Sequence, residues 1–168
     1  MNSIVANNTL EEIDRQIIEI ESFQSGDKER SYFAKYLVVF ICGCYESIIE
    51  AILCEYAEKH HDTRIVDYIS KSLDLNFKNP DIEKIILILD RFDKQWALEI
   101  NNMPYVNKTA INSIVTNKNE LAHRGSSTIT MASIKEFYSR SKPIIEKVDA
   151  IVLALKISPL YPLHQTDI

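Results

Sequence analysis

Residues 36–52 read YLVVFICGCYESIIEAI, a stretch whose apolar side chains recur on more than one face of a helix. A helix that is apolar on several sides is normally buried by its neighbours, so this stretch predicts the central spine of the fold. The helix is expected to extend from about Lys28 to His60. The segment Ser25-Gly26-Asp27 separates it from a first helix.

The rest of the chain predicts further helices around this spine. Thr9 and Glu12 match a capping box, which places the start of the first helix at Thr9. Other helices are expected over Asp62–Leu73, from Asn79-Pro80-Asp81 to Ile100, from Asn107 to His123, and after Thr130 or Ser133. Pro143 predicts a kink or a break in the last of them. Three glycines and five prolines leave little material for tight turns, so the predicted fold class is an all-α bundle.

Length and composition are those of one soluble domain. The chain has 168 residues, of which 46% are hydrophobic and 26% are charged. We expect a single domain over residues 1–158 and a loose tail over 159–168. The first residues lack the basic region of a signal peptide, and the longest apolar run, Leu37–Tyr45, is shorter than the roughly 20 residues needed to span a bilayer. The sequence therefore predicts a cytoplasmic protein with no membrane partner.

Charge and cysteine content narrow the function classes. The net charge of −5 argues against a protein that coats nucleic acid, so any contact with nucleic acid must be made by a local basic patch. Cys42 and Cys44 would point their thiols to opposite sides of a helix, and Cys54 has no second cysteine beside it. We therefore expect buried free thiols in a reducing compartment, and neither a metal site nor another cofactor.

Residues 116–125, TNKNELAHRG, gather polar side chains at the end of an amphipathic helical pattern. Asn119 and His123 are four residues apart and so lie on one side of a helix, and the long side chain of Lys118 can reach the same cleft. Gly125 is typical of a helix end. His123 in the last turn can titrate near neutral pH and act as an acid or a base. A surface histidine beside a helix end remains the alternative.

Glu46 is a carboxylate within the apolar spine, where an unpaired charge would be costly. It can face the helix that ends at His123 and pair there with Lys118, Arg124 or His123. Alternatively it lies on a solvated strip, since Glu50 follows one turn later. The pattern does not decide between the two.

Three stretches together resemble a HEPN domain, and most closely the group typified by RiboL-PSP-HEPN and MAE-type proteins of bacterial conflict systems. They are residues 36–50 of the spine, residues 88–96 (ILDRFDKQW), and residues 115–125 (VTNKNELAHRG), followed by a polar loop and a final helix. The third stretch is the most specific, because Asn119, Ala122 and His123 match the family pattern Arg-Asn-x-x-Ala-His. The resemblance covers the chain from about residue 30 to residue 155.

This resemblance implies a HEPN-like helical bundle with a long central helix, acting as a homodimer in which two motif helices face one composite cleft. It also implies a metal-independent ribonuclease. The arginine of the family pattern is replaced by Lys118, which binds phosphate as a point charge and lacks the planar fork of arginine. Activity could be weaker, Arg124 could supply the guanidinium, or the protein could have lost catalysis and kept a binding role.

For an active enzyme, the resemblance implies attack of a ribose 2′-hydroxyl on the adjacent phosphate. His123 would be the general base or acid, Lys118 and Arg124 would stabilise phosphoryl charge, and Asn119 would orient the imidazole or the phosphate. The expected function is an RNA endonuclease of a toxin–antitoxin or anti-phage system, with a cognate antitoxin or defence-system protein as candidate partner. Two alternatives remain: an inactive HEPN-fold module that binds RNA, a nucleotide or a protein, and a purely structural helical adaptor.

Overall fold

The computed structural model describes residues 1–23, 26–124 and 128–154, without the side chains of Asp27 and Arg124. These ranges contain seven helices and no strand. The helices are α1 (Ile4–Ser22), α2 (Asp27–His60), α3 (Thr63–Asn76), α4 (Ile82–Phe92), α5 (Lys94–Asn101), α6 (Tyr105–Arg124) and α7 (Met131–Val152). The predicted all-α fold class is confirmed.

Helix α2 is the central spine that its sequence predicts. It packs against α1, α3, α6 and α7. Its buried apolar residues lie on several faces and are Ala34, Leu37, Val38, Ile41, Cys42, Tyr45, Ile48, Ile49, Ile52, Leu53 and Ala57. The hydroxyl of Tyr45 shares a hydrogen bond of 2.8 Å with Ser141 Oγ of α7, so the one polar group of this buried ring has a partner.

By length and composition, α2 is also the one helix in the described part of the chain that could cross a bilayer. The uninterrupted run at its centre is too short to reveal this property, which depends on the apolar residues that flank the run. Half of the most apolar window of α2 is buried by the other helices (50%). That packing favours the core helix of a helical bundle.

Helix α1 begins five residues earlier than the capping box predicts. Ser3 is its N-cap, and Ser3 Oγ accepts a hydrogen bond of 3.1 Å from the Ala6 amide. Thr9 lies inside the helix, where its hydroxyl donates to the Val5 carbonyl at 2.8 Å. The start at Thr9 is therefore wrong, because serine at position 3 offers the same capping oxygen and Ala6 continues the buried stripe of α1.

The single helix predicted between Asn79 and Ile100 is interrupted at Asp93. The Asp93 amide donates to the Leu89 carbonyl at 2.8 Å and ends α4, whereas its carboxylate accepts from the Gln95 amide at 2.8 Å and caps α5. Asp81 caps α4 by accepting from the Lys84 amide at 2.9 Å. Pro80 thus precedes the helix, which begins at Ile82, just after the predicted opening segment Asn79-Pro80-Asp81.

Helix α7 is continuous from Met131 to Val152, with Pro143 inside it. Of the kink and the break predicted at this residue, the break is wrong. Buried residues on both sides of the proline, Tyr138 before it and Ile144 and Val148 after it, hold the helix against the core. Thr130 is the N-cap and accepts from the Ser133 amide at 3.1 Å, as one of the two predicted starts requires.

The remaining helices differ from their predicted bounds by a few residues. Helix α3 extends further than predicted at its C-terminal end, to Asn76. Helix α6 is longer than predicted at both ends and covers Tyr105–Arg124. Part of the predicted polar loop, residues 125–127, and the predicted tail, 159–168, lie outside the described residues. The division into one domain and a tail stays a prediction.

Candidate functional site

The C-terminal half of α6 carries the polar motif at the edge of the core. Ile111, Ile114 and Val115 are buried against the core. Lys118 and Asn119, in the next turn, are half-buried, and His123 is exposed at the end of the helix. Burial of the preceding apolar face therefore fixes the helix and leaves the imidazole open to a ligand from solvent.

The end of α6 lies at the same end of the molecule as the start of α2. A cavity of about 400 Å³ is lined by Arg30 and Ser31 of α2 and by residues 128–132, which lead from the motif into α7. Arg30 belongs to a stretch of mixed charge, residues 27–30, at the start of α2. Its position near the end of the motif helix could not be read from the local charge pattern, since it depends on the packing of α2 beside α7.

Lys118 is engaged by a residue that the sequence did not single out. Its ammonium donates a short hydrogen bond to Asn79 Oδ1, in the turn between α3 and α4. The backbone amide of the same Asn79 donates to Glu46 Oε2 at 3.0 Å. Lys118 and Glu46 are thus joined through Asn79, and the direct pairing of Glu46 with the motif helix that one interpretation required is absent among the described residues.

Glu46 is neither exposed nor paired as expected. Its side chain is 21% exposed, and Glu46 Oε1 forms an ion pair of 3.1 Å with Lys78 Nζ. This partly exposed and paired carboxylate lies between the two interpretations, a pairing with the motif helix and a position on a solvated strip. The carboxylate anchors the turn that carries Asn79, and through that turn it supports Lys118.

Asn79 adopts a left-handed backbone conformation with φ 54°. Asparagine tolerates this region better than most residues that carry a Cβ. The Asn79 carbonyl accepts from Lys84 Nζ at 3.1 Å, and the nearby Ile82 amide donates to Asn112 Oδ1 of α6 at 2.9 Å. The turn is consequently bonded to α2, α4 and α6, which gives the Lys118 ammonium a fixed partner.

Two replacements of Asn79 separate its hydrogen bond to Lys118 from its tolerance of the left-handed backbone conformation. Asn79→Gly removes the oxygen that binds Lys118 but tolerates the positive φ, whereas Asn79→Ala also places a Cβ in the left-handed region. We expect Asn79→Ala to be about 1 kcal/mol less stable than Asn79→Gly in urea unfolding. Equal stabilities would contradict a conformational role for Asn79.

Glu50 lies one turn after Glu46 and is only partly compensated. Burial raises its pKa, which the nearby Lys78 lowers and Glu46 raises further. Glu50 Oε1 has no hydrogen bond among the described residues and lies 3.8 Å from Lys78 Nζ. Its negative charge therefore costs folding free energy that the longer ion pair does not fully offset.

The raised pKa of Glu50 predicts a pH-dependent effect of Glu50→Gln. The pKa of Glu50 is higher in the folded state than in the unfolded state, where it is about 4.5. Ionisation of Glu50 therefore destabilises the native state as the pH rises from the unfolded pKa through the folded pKa. Glu50→Gln should raise the urea midpoint at pH 7 and lose this advantage near pH 4. An advantage that is the same at both pH values would show that charge is not its cause.

The cysteines are free thiols: Cys42 is buried, and Cys44 and Cys54 are half-buried. Burial is the main cause that raises the pKa of Cys42 to about 11. The positive charge of Lys118 lowers this pKa, and the negative charge of Glu46 raises it. A thiol with this pKa is a poor nucleophile at neutral pH. Within the described ranges, no group of three or more histidine, cysteine or acidic side chains could hold a metal ion.

The structure brings some of the predicted site residues together and leaves others apart. Lys118 and Glu46 belong to one bonded network, while no hydrogen bond joins Asn119 to His123 within the described part of the chain. Arg124 ends α6, but its side chain is outside the described residues. The roles of Asn119, His123 and Arg124 toward a substrate stay predictions.

Comparison with known proteins identifies the group to which this helical arrangement corresponds. The family model described as RiboL-PSP-HEPN matches residues 5–154, which include α2, the Asn79 turn and the motif helix α6. No curated protein and no solved structure shows a significant match.

Proposed function

Because the chain belongs to the RiboL-PSP-HEPN family, we propose that it is a metal-independent RNA endonuclease that acts as a homodimer in a toxin–antitoxin or anti-phage system. The observation that carries the proposal is the exposed His123 at the end of α6. It follows Lys118, Asn119 and Ala122 at the spacing of the family pattern. The same end of the molecule also presents Arg30, a second source of positive charge.

The proposed reaction is a transesterification within the RNA strand. The 2′-hydroxyl oxygen attacks the adjacent phosphorus, its proton passes to a general base, and the bond from phosphorus to the 5′-oxygen breaks as that oxygen takes a proton. The products are a 2′,3′-cyclic phosphate and a 5′-hydroxyl. In a symmetric dimer, one His123 would accept the first proton and the second His123 would deliver the other.

The charges that develop on the phosphoryl oxygens need donors fixed in advance. The bond of Lys118 to Asn79 uses one N–H of an ammonium that has three, so further donors remain for a phosphate. Arg124 follows His123 directly and would add a guanidinium, which can bind two oxygens at once. Asn119 would hold the phosphate or the imidazole once substrate is bound.

A second candidate function is a binding module without catalysis. The observation that favours it is the bond from Lys118 to Asn79, because it assigns the residue at the arginine position a structural partner. The net charge of −5 also favours a limited contact with RNA, a nucleotide or a partner protein. Such a module would bind ligand at the end of α6 but leave the RNA strand intact.

The ends of the RNA fragments test the proposal. The full chain, incubated with a mixed pool of tRNA and mRNA in EDTA, should produce fragments that carry 2′,3′-cyclic phosphates and 5′-hydroxyls. Sedimentation of the same protein should show a dimer. Cleavage that stops in EDTA, or 3′-hydroxyl ends, would refute the chemistry; RNA binding without cleavage would support the binding module.

A further inference from the structure

An open groove separates α3 from α4 at the other end of the bundle. Helix α3 packs on α2, while α4 packs on α5 and α6. The space between them is a cavity of about 490 Å³, lined by residues that include Tyr56, Tyr68, Leu73, Ile88 and Phe92. This volume is within the usual range for small-molecule sites.

The rings of Tyr56 and Phe92 line one side of the groove, and the buried Trp96 packs against both of them. The buried Trp96 meets Tyr56 edge-on at 4.9 Å between ring centroids and stacks with Phe92 at 6.4 Å. Tyr68, on α3, is 74% exposed, and Ile65 beside it is 47% exposed. A fixed aromatic wall opposite an uncovered tyrosine ring offers flat apolar surfaces to a ligand.

The polar groups of this cavity suit an anion. Arg91 and His61 line it, and no carboxylate does so within the described part of the chain. Arg91 is exposed and has no ion pair with any described residue. A second cavity of about 240 Å³ continues past Arg91 to Lys84. The Lys84 ammonium is bonded to the Lys78 and Asn79 carbonyls and lies 3.7 Å from Asp81 Oδ2, so the positive charge offered to a ligand is that of Arg91.

This groove is distant from the motif at the end of α6. Ser31 lies beside the residues that connect α6 to α7, and Tyr56 lines the groove. These two residues of α2 are about 25 positions apart, which corresponds to roughly 38 Å along a helix. A ligand bound between Tyr68 and Arg91 is therefore far from the end of α6, although the continuation of the groove at Lys84 approaches Lys118 through Asn79.

We propose that the α3–α4 groove binds an aromatic base that carries a phosphate, either as a free nucleoside phosphate or as one unit of single-stranded RNA. The base stacks against the tyrosine and phenylalanine rings, and Arg91 binds the phosphate. An acidic body can hold such an anion here because Arg91 lines the cavity and no described carboxylate does so. The proposal concerns binding alone and does not depend on RNA cleavage.

Calorimetric titration of the full chain tests the proposal with two probes, AMP and a short oligoadenylate. The RNA probe is used with His123→Ala protein so that it stays intact. We expect saturable binding, a Kd raised about five- to 100-fold by Tyr68→Ala, and a Kd raised at least about fivefold by Arg91→Gln. Binding of AMP alone identifies a free nucleotide as the ligand, and much tighter binding of the oligoadenylate identifies a strand.

Matched variants control for general effects. Tyr105→Ala removes another exposed tyrosine, and Arg140→Gln removes another exposed arginine, both outside the groove. Neither should change the Kd more than about twofold. Thermal unfolding by circular dichroism checks that Tyr68→Ala, at a largely exposed position, remains folded. If neither probe saturates, or if the control variants weaken binding equally, the proposal is wrong.

A fluorescent dye separates a nucleotide site from a surface for another protein. Anilinonaphthalene sulfonate should bind the groove and be displaced by AMP or oligoadenylate. Dye that binds in a Tyr68-dependent manner but resists both competitors would overturn the proposal, because the groove would then be an apolar docking surface without affinity for a nucleotide.

Discussion

RNA cleavage by the His123→Ala variant is expected to be about 10²–10⁴-fold slower than cleavage by the wild type. The imidazole is the group that the proposed reaction uses to accept and donate a proton, and alanine cannot replace it. Because His123 is exposed at the end of α6, its loss should leave folding unchanged. The measurement is the initial rate of fragment release from a labelled RNA in EDTA.

His60→Ala provides the matched control for this rate. His60 is an exposed histidine at the end of α2, far from the motif, so its replacement should leave cleavage within about twofold of wild type. A His123→Ala protein that is folded and cleaves at the wild-type rate would remove this residue from the mechanism. Equal losses in both variants would point to a contaminating nuclease or to a general defect.

Truncation of Tyr45 should produce the largest loss of stability, about 3–5 kcal/mol. Its side chain is completely buried at the centre of α2, where it stacks with Tyr138 at 6.5 Å between ring centroids. Alanine would leave a cavity and remove one of the two hydrogen bonds of the buried Ser141 hydroxyl, which would keep its bond to the Tyr138 carbonyl. The change is measured as the free energy of unfolding in urea.

Two further variants separate the hydrogen bond of Tyr45 from the burial of its ring and provide a control at an exposed tyrosine. Tyr45→Phe keeps the ring and removes only the hydrogen bond, so it should cost about 1 kcal/mol. Tyr32→Ala removes a tyrosine from the same helix at a position that is 58% exposed, and should change stability by less than about 0.5 kcal/mol. A Tyr45→Ala protein as stable as Tyr32→Ala would contradict the central role of α2.

The main helices could be predicted because their apolar residues recur at helical spacing. Helix α2 is apolar on several faces, and α6 alternates a buried stripe with its polar motif, so both were located to within about two residues. The break at Asp93 was missed because Ile88, Leu89, Phe92 and Trp96 continue the same periodicity through it. Only the hydrogen bonds of Asp93 distinguish two capped helices from one.

The contacts of the candidate site could be predicted within one helix but not between helices. Lys118, Asn119 and His123 are close in the chain, and helix geometry alone places them near one another. Asn79 is 39 residues from Lys118 and 33 from Glu46, so no local pattern connects the three. The sequence indicated that Glu46 needs a partner, but the identity of that partner depends on how the α3–α4 turn packs.

Asp149 links the start of α1 to the last helix, α7, and so affects the order in which the helices can dock during folding. The carboxylate is 1% exposed, and Asp149 Oδ1 accepts from the Ser3 amide at 2.8 Å, across 146 residues of chain. The N-cap residue of α1 is therefore synthesised well before the carboxylate that binds its amide. Until α7 forms, the Ser3 amide must be satisfied by water, so native docking of α1 is a late, long-range step that slows folding relative to a bundle with only local contacts.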